Sequence, residues 1–342
     1  MSNYQTKNKF VQKYILDGMS AMAMGLFSTL IVGVIIKTIG EQIVYIDSLS
    51  LVSESLIAIG TIAMGLMGAG IATAIAHRWN APPLVLFASL VAGQVGALYG
   101  GPAGAYLASV IAIELGSKIS KKTALDIIVT PFTVIIIGYL VAISGGQVIG
   151  WLMDGLGFVI MEATQAQPIL MGIIIAVLMG MALTAPISSA ALAIMLGLSG
   201  IAAGAATVGC CAQMIGFATM GKKENPYGVT FAVGLGTSML QIRNIILNPW
   251  IWVPPTLTAA ILGPFATTLF AMENLPAGAG MGTSGMVGPL LTITAMGFSW
   301  DVLIKILGLY IILPIILTTI FHLLLKKIGK IKENDCKIII ET

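Results

Sequence analysis

The sequence predicts an all-α protein: a polytopic helical membrane protein of about ten transmembrane helices, in two inverted repeats with re-entrant or broken segments. Three observations carry this. The chain of 342 residues is 57% hydrophobic and only 9% charged, where a soluble domain carries about 25% charged residues. Its apolar runs, such as 16–36, 51–76, 124–143 and 302–325, reach the roughly 20 residues a helix needs to cross about 30 Å of hydrocarbon. And it is written twice. Pro82-Pro83 is followed by Pro102-Ala103-Gly104-Ala105, and Pro254-Pro255 by Pro276-Ala277-Gly278-Ala279. The two pairs of motifs are offset by 172 residues (82 to 254) and 174 residues (102 to 276). Paired Gly/Pro interruptions at corresponding places in two halves point to a transporter's binding site. The runs are continuous rather than alternating, which excludes a barrel.

Taken in order, residues 1–15 form a cytoplasmic leader and 16–147 the first membrane repeat. Residues 148–198 form an outside loop plus an extra hairpin, 199–325 the second repeat, and 326–342 a basic cytoplasmic tail. In the first repeat the crossings fall at about 16–39, 51–76, 84–98, 103–117 and 124–146. The two short ones leave an alternative, that Tyr99–Gly104 is the tip of a re-entrant hairpin. In the second repeat they fall at about 199–220, 229–247, 252–271, 285–299 and 302–325. The stretch 168–198 is interrupted at Thr184-Ala185-Pro186-Ile187-Ser188-Ser189.

Charge sets the orientation. Lys7, Lys9 and Lys13 in the leader place it inside, as do Lys326, Lys327, Lys330, Lys332 and Lys337 in the tail. His77-Arg78, Lys118 with Lys121-Lys122, and Lys222-Lys223 mark further inside loops. Residues 41–54 and 145–167 are outside; no Lys or Arg occurs from Thr123 to Gly221. Shifting by about 172 residues moves every loop to the opposite side, the expectation for inverted repeats of an odd number of crossings. No cleavable signal is expected, because the first apolar stretch is long and follows a Lys-bearing leader. Cys210, Cys211 and Cys336 have the spacing of neither a metal site nor a disulfide framework.

Candidate binding residues are the polar groups inside these runs. Arg243 stands in the middle of 229–247, where an arginine is costly and marks a cavity or a partner; the alternative is that it snorkels to an interface near Asn248. Gln241 and Asn244 add hydrogen-bond capacity beside it. Glu273 and Asn274 precede the second Pro-Ala-Gly-Ala motif, with Gly278 inside it and Thr283 and Ser284 after it. Gln94, Tyr99 and Gly101 occupy the matching break in the first half. Ser188 either lines a cavity or bonds its own helix, and His77 either relays a proton or a phosphoryl group or simply ends a helix. There is no phosphate-cradling loop, zinc-protease pair or dinucleotide fingerprint, so neither a catalytic residue nor a cofactor nor a nucleic-acid partner is expected.

Four segments carry a resemblance: residues 77–83, Tyr99-Gly100-Gly101-Pro102-Ala103-Gly104, Thr184–Ser189 and residues 275–289. In them the chain resembles the EIIC-type membrane subunits of the bacterial sugar phosphotransferase system. The closer likeness is to a branch that includes the perfringolysin O regulator protein. It covers about residues 10–328. The resemblance implies a sugar-conducting homodimer working with cytoplasmic subunits that carry the phosphorylatable Cys or His. The regulator-like branch implies the alternative, a membrane sensor that binds the ligand and controls gene expression without transport.

Overall fold

The computed structural model describes residues 10–43, 49–164 and 167–339, and among them every regular element is helical. The chain forms two compact units: residues 1–33 with 59–152, and residues 34–58 with 153–342. The leader's Lys7 and Lys9, and Asp47 of the 41–54 loop, lie outside the described residues.

The first unit is built on close helix contact. Helix α1, Val11–Ile43, is one apolar helix of 33 residues, so it begins inside the stretch read as leader and runs to the edge of the expected loop. Helices α2 (Ser50–Gly65) and α3 (Met67–Arg78) follow one another across a bend of 53°. A sharp bend frees backbone groups that hydrocarbon cannot satisfy. Gln94 supplies them: its amide donates to Gly65 O at 2.8 Å, and its carbonyl accepts from Ala69 N at 3.3 Å. Where α1 meets α3, and α3 meets α4 (Pro83–Ile119), glycines stand backbone to backbone. A Cβ at Gly25 would strike Gly70, and one at Gly68 would strike Gly93. Without a hydrophobic drive between helices in lipid, this contact supplies the packing energy.

Helix α4 reverses direction. Its backbone leaves helical geometry at Gly100 and Gly101, and Gly101 has φ 57° and ψ −146°. Pro102 then opens the returning arm. Gly96 abuts Gly104, Gly93 abuts Ser109 and Gly116 abuts Val85, the register of an antiparallel hairpin with its tip at 100–101. Both readings of 84–117, two short crossings and a re-entrant hairpin, turn at this tip. Helix α5, Asp126–Thr164, is 39 residues long. Residues 148–164, read as an outside loop, therefore continue a helix; their apolar composition serves a helix as well as a loop flank.

The second unit packs around α8 (Gly200–Gly221), the most enclosed long helix, with 83% of its apolar window buried. Helix α6 (Pro168–Thr184) meets it through Gly180 and Gly209, and α11 (Val253–Pro264) meets α6 through Gly263 and Gly172. Short pieces lie between: α7 (Ser189–Met195), α9 (Tyr227–Gly236), α10 (Ile242–Leu247), α12 (Pro276–Ala279) and α13 (Val287–Met296). Helix α14, Trp300–Lys327, closes the set. Among the described residues five helices, α4 counted as one, are long and apolar enough to cross a membrane, or up to six if the bent α2–α3 pair is one span.

The crossing expected at 229–247 does not form. Helix α9 has ten residues, about 15 Å at 1.5 Å each, half the hydrocarbon thickness. The chain turns extended at Thr237 (φ −158°, ψ 138°), makes one 3₁₀ turn over Ser238–Gln241, and continues into α10. Asn225 before α9 and Gln241 after it both donate to the same Cys336 carbonyl, each at 2.9 Å. Both ends of the element thus stand together, so the chain doubles back within it. Hydropathy counts its residues but not its direction. The expected crossing at 285–299 is likewise a 3₁₀ turn and a ten-residue helix.

The tip of α4 gives a direct test. The backbone at Gly101 lies in a region that a Cβ makes costly, so Gly101→Ala should lower stability by about 1–3 kcal/mol. Gly155 is helical, and a Cβ added there would meet nothing within 4 Å, so Gly155→Ala should be neutral or gain up to about 1 kcal/mol. Thermal unfolding in detergent compares them, and equal effects would contradict the hairpin tip.

Candidate functional site

Three chain breaks of the second unit meet on the middle of α8. The first follows α6 at 185–188, the second follows α9 at Thr237, and the third spans 280–286 between α12 and α13. Each has a side chain that bonds another. Thr184 Oγ1 lies 2.8 Å from Ser238 Oγ; Thr283 Oγ1 donates to Gly234 O at 2.5 Å; Ser189 Oγ donates to Gly280 O at 2.7 Å. All four hydroxyls are buried. Small residues let the breaks come this close: a Cβ at Gly282 would run into Cys210 and Cys211 on α8.

Gln213 of α8 is the polar centre of this junction. Its amide donates to Thr256 Oγ1 at 3.0 Å, and its carbonyl accepts from Trp252 Nε1 at 3.1 Å and stands 3.3 Å from Thr184 Oγ1. Thr256 in turn donates to Trp252 O at 2.7 Å. A fully buried amide in an apolar unit is tolerable because each of its groups is paired. One hydroxyl is different. Ser284 is 1% exposed, and among the described residues its Oγ has no hydrogen-bond partner.

The residues singled out in the sequence separate into distinct places. Thr283 and Ser284 are in the junction. Ser188 stands in its first break, half-buried, its carbonyl accepting from Leu192 N at 3.0 Å. Asn274 is a cross-brace beside it: its amide donates to Thr207 Oγ1 at 2.7 Å and Gly288 O at 3.1 Å, its carbonyl accepts from Leu275 N, and its backbone pairs with Gly200. Gly278 is small because a Cβ there would collide with that amide. Glu273 is exposed and Arg243 half-buried, and among the described residues neither charged group has an ion-pair or hydrogen-bond partner.

Gln241 and Asn244 are spent elsewhere. With Asn248 they recur at i, i+3 and i+7, one face of a helical path, and all three grip the segment after α14. Asn244 Nδ2 donates to Gln241 Oε1 at 2.7 Å and Lys337 O at 3.0 Å; Asn248 Nδ2 donates to Lys330 O at 2.9 Å and Asp335 Oδ2 at 2.7 Å. Arg243 shares their short helix, so it stands at the level of this segment and not in the middle of a crossing. In the first unit, Gln94 mends the α2–α3 bend, Tyr99 is half exposed and Gly101 turns the tip of α4, and His77 is exposed at the end of α3.

Sequence reasoning passes over Gln213, Ser238 and Trp252, and marks Thr184 only as the start of a break. The signal is present in one of them: Gln213 is the single amide within the 22 residues of α8.

The junction distinguishes two neighbouring hydroxyls. Thr283→Val removes a made bond and strands Gly234 O, which should cost about 1–3 kcal/mol. Ser284→Ala removes a hydroxyl that no described residue bonds, and should leave stability unchanged or slightly raised. Thermal unfolding reads both, and equal losses would contradict this arrangement.

Residues 16–338 match the family described as Phosphotransferase system, EIIC. No curated protein and no solved structure matches the chain. The family match spans nearly all of the sequence and does not separate the regulator-like branch from the rest. The chain belongs to the phosphotransferase-system EIIC family, the multi-pass membrane subunits of sugar uptake.

Proposed function

We propose that the protein is the translocation subunit for a small polar solute, a sugar, moving it by alternating access. The carrying observation is the junction on α8: three broken helices supply hydroxyls and backbone groups at one buried place, and one hydroxyl there, Ser284 Oγ, is left for a ligand. Broken helices that meet inside a membrane protein bear the cost of freed backbone where a substrate replaces water. Arg243, just past the turn Ser238–Gln241, and Glu273, next to Asn274, flank the junction and are unpaired among the described residues, so a sugar that reaches out of the junction can make a charge-assisted hydrogen bond with each. Family membership favours the carrier over the sensor. Cytoplasmic phosphotransferase subunits would supply the phosphoryl group, a second copy of the chain would complete a homodimer, and the inverted halves would rock about the site.

Both termini are cytoplasmic in this reading. Its support is that Glu224 and Asn225, beside Lys222-Lys223, hold the lysine-bearing segment after α14, which puts two basic regions on one face of the unit.

Counterflow in vesicles tests the carrier: preloaded sugar should drive uptake of labelled sugar. Binding without exchange would support the sensor instead. Ser284→Ala should weaken sugar binding about fivefold to tenfold, the worth of one hydrogen bond of about 1 kcal/mol, at unchanged stability. Arg243→Ala and Glu273→Gln should abolish binding with the fold intact. Full binding in all three variants would place the sugar elsewhere.

A further inference from the structure

The segment 329–338 is held by side chains and not by regular structure. Cys336 N donates to Glu224 Oε2 at 2.8 Å, and Ile338 N donates to Asn225 Oδ1 at 2.7 Å. Cys336 O accepts from both Asn225 and Gln241, Lys337 O from Asn244, and Lys330 O from Asn248. Ile331 and Cys336 are buried to 1% and 0% exposure, and the Lys330 ammonium stacks over the Trp250 ring at 4.7 Å. A turn-rich stretch bearing Lys330, Lys332 and Lys337 would ordinarily stay in solvent. Here Glu224 and four amides from two separate stretches of chain, 224–225 and 241–248, meet its backbone.

Gln241 is the last residue of a 3₁₀ turn of four, and Ser238 is the first. Both are fully buried. One end of this turn bonds the segment through Gln241; the other bonds the junction through Ser238 and Thr184. A turn this short cannot shift at one end and stay in register at the other. We propose that segment 329–338 is a latch whose docking is coupled, through the turn Ser238–Gln241, to the polar junction on α8. Undocking frees the turn and loosens the Thr184–Ser238 bond; rearranging the junction weakens the grip on the segment. The coupling is reciprocal because it is a free energy shared by two places. Its use to a carrier rests on the junction being the ligand-responsive part, but its existence does not require any ligand.

Cys336 reports the latch. Docked, its thiol is enclosed, and burial together with Glu224 and Asp335 pushes its pKa well above the ordinary thiol range; undocked, it becomes an ordinary exposed cysteine that a maleimide labels. Cys210 and Cys211 are fully buried in α8 and serve as internal controls. Adducts on each cysteine of the full-length protein in membranes can be counted by mass spectrometry. Gln241→Met, which keeps the shape but loses the donor, should speed Cys336 labelling roughly fivefold or more. Thr184→Val should do the same from the far end, and Ser238→Ala, which deletes the same bond from its other side, should match it. Thr184→Ser, which keeps the hydroxyl, should label like the unmodified protein. Faster labelling in Gln241→Met with none in Thr184→Val would overturn the coupling. So would a rise at Cys210 and Cys211 alongside Cys336, which reports general loosening, or no change in any variant. Sugar binding is measured separately, so a failed carrier reading leaves this result standing.

Discussion

Everything in this fold follows from one constraint: inside hydrocarbon no water is present to satisfy a backbone N–H or C=O. A straight helix meets the constraint by itself, so each departure from helix needs a named replacement. At the α2–α3 bend it is Gln94, with one group on Gly65 and the other on Ala69. At the break before α12 it is Asn274, with every donor and acceptor of its side chain engaged. At Thr237 the residue's own hydroxyl accepts from Met239 N at 3.2 Å. The polar residues at these breaks are therefore structural repairs. A ligand-binding role is strongest where a polar atom remains after the repairs are made.

The same constraint explains why α8 is the hub. Helices in lipid gain little by burying apolar surface against one another, so close packing of small residues decides which surfaces meet. Helix α8 begins Gly-Ile-Ala-Ala-Gly-Ala-Ala and has Gly209 where Ala176 of α6 comes in, and Gly204 where the Met272 carbonyl comes in. A helix with so little side-chain bulk admits neighbours on all sides, including irregular ones. Once enclosed, it can carry Thr207 and Gln213 inward, because the breaks packed on it provide partners. Smallness and buried polarity thus belong together in this helix.

The class of the fold is legible in the sequence, since composition and run length respond to the solvent around the whole chain. The places of interruption are legible too: Gly100–Gly101 before Pro102 and Leu275 before Pro276 are breaks, and both Pro-Pro pairs stand at helix starts. Direction is not legible. A half-crossing that returns has the same apolar composition as a crossing that continues, which is why 229–247 reads as a full crossing until its ends are located. Polar roles are legible only in part, because an amide that repairs a bend and an amide that binds a sugar have the same sequence signature. Gln94 and Asn274 can be sorted only once their neighbours are known.

The segment after α14 shows how far the usual weighting of charge can mislead. Arg243 attracts attention because a charge in an apolar run is expensive, while Gln241, Asn244 and Asn248 look like its accessories. Their positions say otherwise. Amides at i, i+3 and i+7 form a row along one face, and a row of paired donors and acceptors matches a strip of irregular backbone better than it matches a small solute. The lysines of that strip would keep it in solvent if charge alone decided. Its backbone is held because each amide has a carbonyl within 3.0 Å, while Lys330, Lys332 and Lys337 stay exposed, the first over the Trp250 ring. In this chain the row of neutral amides, not the net charge of the segment, determines where the segment lies.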